Sequence, residues 1–104
     1  MSVYVDNARI PYRGRGGRMM LMSHMIADTS AELTAMAQRI GVDREYLQDE
    51  GTYREHFDIC LSKRRKAVAL GAKEITQRQL GEMLRARRLI TCPPSVDPTP
   101  ADRA

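Results

Sequence analysis

His24 and His56 are the two histidines of this chain, and each has an aspartate close behind it. "HMIAD" puts Asp28 four residues after His24, and "HFD" puts Asp58 two after His56. Imidazole beside carboxylate suits two kinds of chemistry. A histidine can move a proton near neutral pH, and His24, Asp28, His56 and Asp58 together offer nitrogen and oxygen donors for a divalent metal. In an extended segment residues two apart share a side, so His56 and Asp58 converge on one object.

Immediately downstream, "SKRRK" sets Lys63, Arg64, Arg65 and Lys66 where the first turn of a helix should be. Free N–H groups make a helix start partly positive, so cations are disfavoured there. Two readings follow. Either Lys63 and Arg64 meet a phosphate at that helix start, or the cluster is solvated and Asp58 offsets it. Four successive residues turn through about a full helical turn, so they cannot share one ligand. The catalytic reading takes His56 as general base, with His24 and Asp58 beside it and Arg64 stabilising transition-state charge. Plainer roles compete with it. Asp28 can extend a helix cap, and His24, inside an apolar run, can be a core histidine with one hydrogen bond.

These residues must be held by short elements. "SVYVD" alternates like a strand, and "NARIPYRGRGG" reads as a flexible loop. "RMMLMSHMIAD" predicts a strand of about eight residues, buried on both faces. Thr29 and Glu32 form a capping box, followed by Leu33, Met36, Ala37 and Ile40 at helical spacing and by Gly41 as a stop. Residues 42–57 read as a polar loop with one irregular turn. A second helix is expected over 62–70 with Ser62 as its cap, then a short strand at "AKEI". A third helix opens with the capping box Thr76 and Gln79. The methionines fall on these strand and helix faces and fill core gaps rather than bind copper. The expected fold is a small single-domain α/β sandwich over 1–92, about three short strands and three helices, with strand order not legible. Residues 93–104 carry four prolines and read as a disordered tail.

Composition narrows the classes of function. The net charge is +4, but it is uneven: residues 43–58 hold six acids against two arginines, leaving the excess positive charge at 9–18, 63–66 and 85–88. Such a distribution points to an anionic partner. Only five aromatic residues are present, none of them tryptophan, so an extended stacking platform is poorly supported. No apolar run is long enough to cross a membrane, and neither a secretory leader nor a C-x-x-C pair is seen. The chain reads as cytoplasmic.

The motifs "VYVD" (3–6), "HMIAD" (24–28), "EL" (32–33), "RIGV" (39–42), "HFD" (56–58), "SKR" and "GAKEIT" (71–76) resemble a family known as a domain of unknown function, found in bacteria and their phages. The resemblance runs from residue 3 to about 84. It implies a polar set at Asp6, His24, Asp28, His56 and Asp58, with Arg64 as its basic member. Many relatives read "ELH" where this chain has Thr34 after Glu32 and Leu33, and Thr is a poor metal ligand. The first expectation is binding of a phosphate-bearing ligand, a nucleotide or nucleic-acid end, with phosphoester hydrolysis as the reaction class. Its catalytic residues are His56, His24 and Asp58, with Asp6, Asp28, Lys63 and Arg64 as ligand contacts and a divalent metal as the candidate cofactor. The alternatives are a phage-type interaction protein that blocks a host protein through charged surfaces, and a plain basic nucleic-acid binder.

Overall fold

The computed structural model describes residues 2–91. The proline-rich tail and Cys92 lie outside the described residues. The elements run β1 (Val3–Val5), β2 (Ile10–Arg13), β3 (Met19–Ala27), α1 (Ser30–Ile40), β4 (Phe57–Cys60), α2 (Leu61–Ala69), β5 (Lys73–Glu74) and α3 (Gln77–Thr91). The α/β class and the three helices are as the sequence implies. Among the described residues the strands number five, because β2 lies inside the expected loop and β4 fills the gap between the polar stretch and the expected second helix.

One strand organises the sheet. β3 pairs antiparallel with β2, β1 and β4, and β5 joins parallel to β1. Met22 faces both Ile10 and Cys60, and Met25 faces both Val5 and Phe57, so β4 takes one edge of β3 while β2 and β1 share the other. Between them, residues 6–9 oppose only Ser23 and His24, which makes a bulge. The β2–β3 hairpin turns through Gly16 (φ +83°) and Gly17 (φ +81°), a conformation that costs glycine little.

Alternation along the strands decides what each face carries. Val3, Val5, Met25, Ala27, Phe57 and Ile59 form one apolar cluster with Leu33, Met36, Ala37 and Ile40 of α1 and Ala67 of α2. Burying each larger side chain there contributes about 1.5–3 kcal/mol. The α1 stripe is the one its spacing predicts, capped by Thr29, whose hydroxyl accepts the Glu32 N–H, and ended by Gly41 in the left-handed conformation. α3 opens on its predicted capping box, Thr76 and Gln79 each taking the other's N–H. Its ends are tied down by Asn7, which accepts the Gln77 N–H, and by Arg87, which donates to the Ala27 carbonyl. β3 is not buried on both faces throughout. Its first half is half-buried or exposed, and burial begins at Ser23.

Candidate functional site

His24 and Asp58 are direct cross-strand partners on β3 and β4, on the sheet face turned away from α1 and α2. His56 stands two residues before Asp58, at an isolated bridge to Gln48. The period of two therefore gathers His24, His56 and Asp58 on one side. Their rings and carboxylate meet. The imidazole centroids lie 5.7 Å apart with planes at 66°, and Asp58 Oδ1 lies 3.7 Å from His24 Nε2 and 3.5 Å from His56 Nε2.

The bulge between β1 and β2 supplies the third party. Asp6 is wholly buried there. Its Oδ1 accepts the N–H groups of His24 (2.8 Å) and Ala8 (3.2 Å), standing in for a strand carbonyl, and its Oδ2 accepts His24 Nδ1–H at 2.7 Å. Burial pushes the Asp6 carboxyl up, but the His24 ring and these backbone donors outweigh it, so the group stays below its ordinary value. The same hydrogen bond lifts His24 above its ordinary 6.5 against the opposing effect of burial, with the charges of Asp6 and Asp58 adding to it. His24 is thus an imidazole with Nδ1 held and Nε2 presented.

His56 is held differently. Its Nδ1 lies 2.7 Å from the Arg54 carbonyl. A carbonyl only accepts, so Nδ1 carries the proton and the neutral ring presents a bare lone pair at Nε2. Asp58 Oδ2 accepts from Gln48 Nε2 at 2.7 Å. Its other oxygen, Oδ1, is shielded from solvent and has no hydrogen-bond donor. The site therefore holds one carboxylate oxygen without a donor, between two Nε2 atoms.

The remaining residues of the expected set lie elsewhere. Asp28 is four extended residues from His24, about 13 Å along the strand, and accepts the Ser2 N–H through Oδ2 at 2.8 Å. It pins the start of β1 rather than joining the histidines. Arg64 donates its Nε–H to the Asp6 carbonyl at 2.8 Å and pairs with Glu74, so it braces the bulge behind the site. Thr34 turns its hydroxyl back to the Ser30 and Ala31 carbonyls of its own helix. Among the described residues no group of three or more His, Cys, Asp and Glu is arranged to hold a metal ion.

The basic helix start also resolves. α2 begins at Leu61, one residue early, with Cys60 rather than Ser62 at the cap and no acid in its first turn. Asp58 is engaged with Gln48 and does not serve as the counter-anion. Lys63 instead extends to the end of α1, where its Nζ would lie 3.1 Å from a Cβ placed on Gly41. That end of α1 is partly negative and suits a cation. Arg64 is committed to Asp6 and Glu74, and Arg65 and Lys66 are exposed. Cys60 shares the face of Asp58. Burial raises its thiol, and the Ser62 hydroxyl, the Lys63 and Ser62 N–H groups and the Lys63 charge outweigh that and lower it.

Sequence reasoning missed Gln48, whose side chain aims Asp58, because no local pattern marks a loop glutamine. Asp6 entered only through the family motif. An acid closing the alternation "VYV" was the available signal.

No helix among the described residues is long and apolar enough to cross a membrane. No curated protein and no solved structure matches the chain. A family model does, over residues 3–87, which takes in every residue of the site, and the chain belongs to that family, the proteins of unknown function DUF4031.

Proposed function

We propose that this protein binds a phosphate-bearing ligand, a nucleotide or nucleic-acid end, and cleaves a phosphoester by acid–base catalysis at His24, His56 and Asp58. The observation that carries this reading is Asp58 Oδ1, which lacks a donor and sits 3.5 and 3.7 Å from two Nε2 atoms. A buried acceptor without a donor costs about 1–3 kcal/mol, and a nucleophilic water or hydroxyl bound there would relieve that cost.

The two histidines then divide the work. His56 Nε2 takes the proton of the nucleophile, its ring fixed by the Arg54 carbonyl. His24, kept protonated to higher pH by Asp6, delivers a proton from Nε2 to the leaving oxygen. Lys63, lining the same cavity as Asp58, is the cation available to a phosphoryl oxygen. Arg64 positions the Asp6 bulge and does not touch the ligand.

The test is hydrolysis of bis(p-nitrophenyl) phosphate by the full chain, run with chelator and with added Mg²⁺, Mn²⁺ or Zn²⁺. His56→Ala and Asp58→Asn should each lower kcat by about 100-fold or more, with the melting temperature of Asp58→Asn not lowered. A wild-type protein that turns over no phosphoester under any of these conditions refutes the reading. So do variants that stay within threefold of wild type.

A further inference from the structure

We propose that the substrate is single-stranded RNA, with a base in the groove between Tyr12 and Tyr46 and the adjoining 2′-hydroxyl turned to Asp58 and His56. This rests on the acid–base reading above and names its substrate. The strand register carries the site along one face. Tyr12 pairs with Met20, Ile10 with Met22, Met22 with Cys60, and His24 with Asp58, so all seven side chains lie on the same side of the sheet. A groove of about 530 Å³ runs there, lined among others by Tyr12, Tyr46, Met20, Met22, Asp58 and Lys63. The two tyrosines are 54% and 52% exposed, so each keeps much of its aromatic surface open beside an apolar floor. Bases unstacked from a single strand bind such rings.

Charge complements that shape. Residues 9–18 carry Arg9, Arg13, Arg15 and Arg18, and no acid occurs between Asp6 and Asp28. The hairpin is therefore a cationic arm leading away from the site along the path of a phosphodiester backbone. Asp43 also lines the groove, but its Oδ1 is taken by the Glu45 N–H.

The choice of RNA over DNA comes from Asp58 Oδ1. It needs a donor, and RNA brings a hydroxyl beside every phosphate where DNA brings none. The 2′-hydroxyl donates to Asp58 and then gives its proton to His56 Nε2. The 2′-oxygen forms a bond to phosphorus, the P–O5′ bond breaks, and His24 Nε2–H protonates the departing O5′. The products are a 2′,3′-cyclic phosphate and a free 5′-hydroxyl, with no water or other reactant consumed.

The experiment is incubation of the full chain, in chelator, with 5′-labelled oligo(U), oligo(dT), and oligo(dT) carrying one internal uridine. Oligo(U) should be cut throughout, the mixed strand once, 3′ to its uridine and leaving a cyclic phosphate, and oligo(dT) not at all. Tyr12→Ala and Tyr46→Ala should each raise KM for oligo(U) about tenfold. Cleavage of oligo(dT), or of the mixed strand at other positions, overturns the RNA assignment while leaving the acid–base site standing. Intact RNA in the presence of continued aryl phosphodiester hydrolysis does the same. RNA cleavage that persists in His56→Ala overturns it too. Loss of both activities in the wild-type protein overturns both readings.

Discussion

The two faces of β3 and β4 are built from alternate residues of the same nine- and four-residue strands, yet they do opposite things. On one face Met25, Ala27, Phe57 and Ile59 pack against α1 and α2 without a polar atom among their side chains. On the other, His24, Asp58 and the ring of His56 crowd around a carboxylate oxygen that has no hydrogen-bond donor. The first face supplies the apolar burial that holds the sheet rigid. The second spends some of that stability on a polar cluster whose geometry would drift on a looser frame. A one-residue slip of β4 would exchange the two sets, so the register that protects the core also assembles the site.

Substitutions on the two faces should separate these roles. Phe57→Ala should have the largest effect, a loss of about 3–5 kcal/mol. Phe57 is fully buried, and a small domain has only about 5–15 kcal/mol in all. Urea unfolding measures it, and a loss under 1 kcal/mol would mean that this face is not the core.

Asp6→Asn comes next, because Asp6 belongs to both faces' fortunes: it closes the bulge and orients His24. Its loss should cost about 2 kcal/mol and let the His24 ring turn, seen as a fall of the His24 pKa by NMR. An unchanged His24 titration would uncouple the pair.

The pH dependence is smaller and has a defined sign. His24 holds its proton more tightly when folded, so its contribution is full below the ordinary value of 6.5 and is lost as pH rises through the raised folded value. Asp6 is lowered, so its contribution is present above 3.8 and is lost as pH falls through the folded value. Melting temperature should therefore be highest between these limits, and His24→Gln should flatten the alkaline shoulder. A shoulder that survives in His24→Gln would assign it to another group.

Asp58→Asn is the smallest and sharpest. It removes a charge whose Oδ1 has no donor, so stability should hold or rise by up to about 1 kcal/mol while any activity is lost. Activity lost together with more than 2 kcal/mol of stability would make Asp58 part of the framework instead.

Much of this was written locally. Thr29 with Glu32, Thr76 with Gln79, the Leu33–Ile40 stripe and the stop at Gly41 depend on residues within two turns of each other, and the folded chain holds each. The convergence of His56 and Asp58 was likewise a matter of strand period. β2 and β4 were not legible. Each is four residues long, and "IPYR" and "FDIC" become strands only because β3 offers an edge on either side.

By itself, then, the amino-acid order determined the class of fold, two helix starts, the stripe that packs the first of those helices, and the fact that His56 and Asp58 point the same way. Tertiary structure decided who meets whom. It brought Asp6 to His24 across 18 residues, turned Gln48 onto Asp58 across 10, and set Arg64 on a carbonyl 58 residues distant. Such partners are chosen by which strand edges pair and how a bulge folds, and those choices minimise free energy over the whole chain. No short window of sequence contains them.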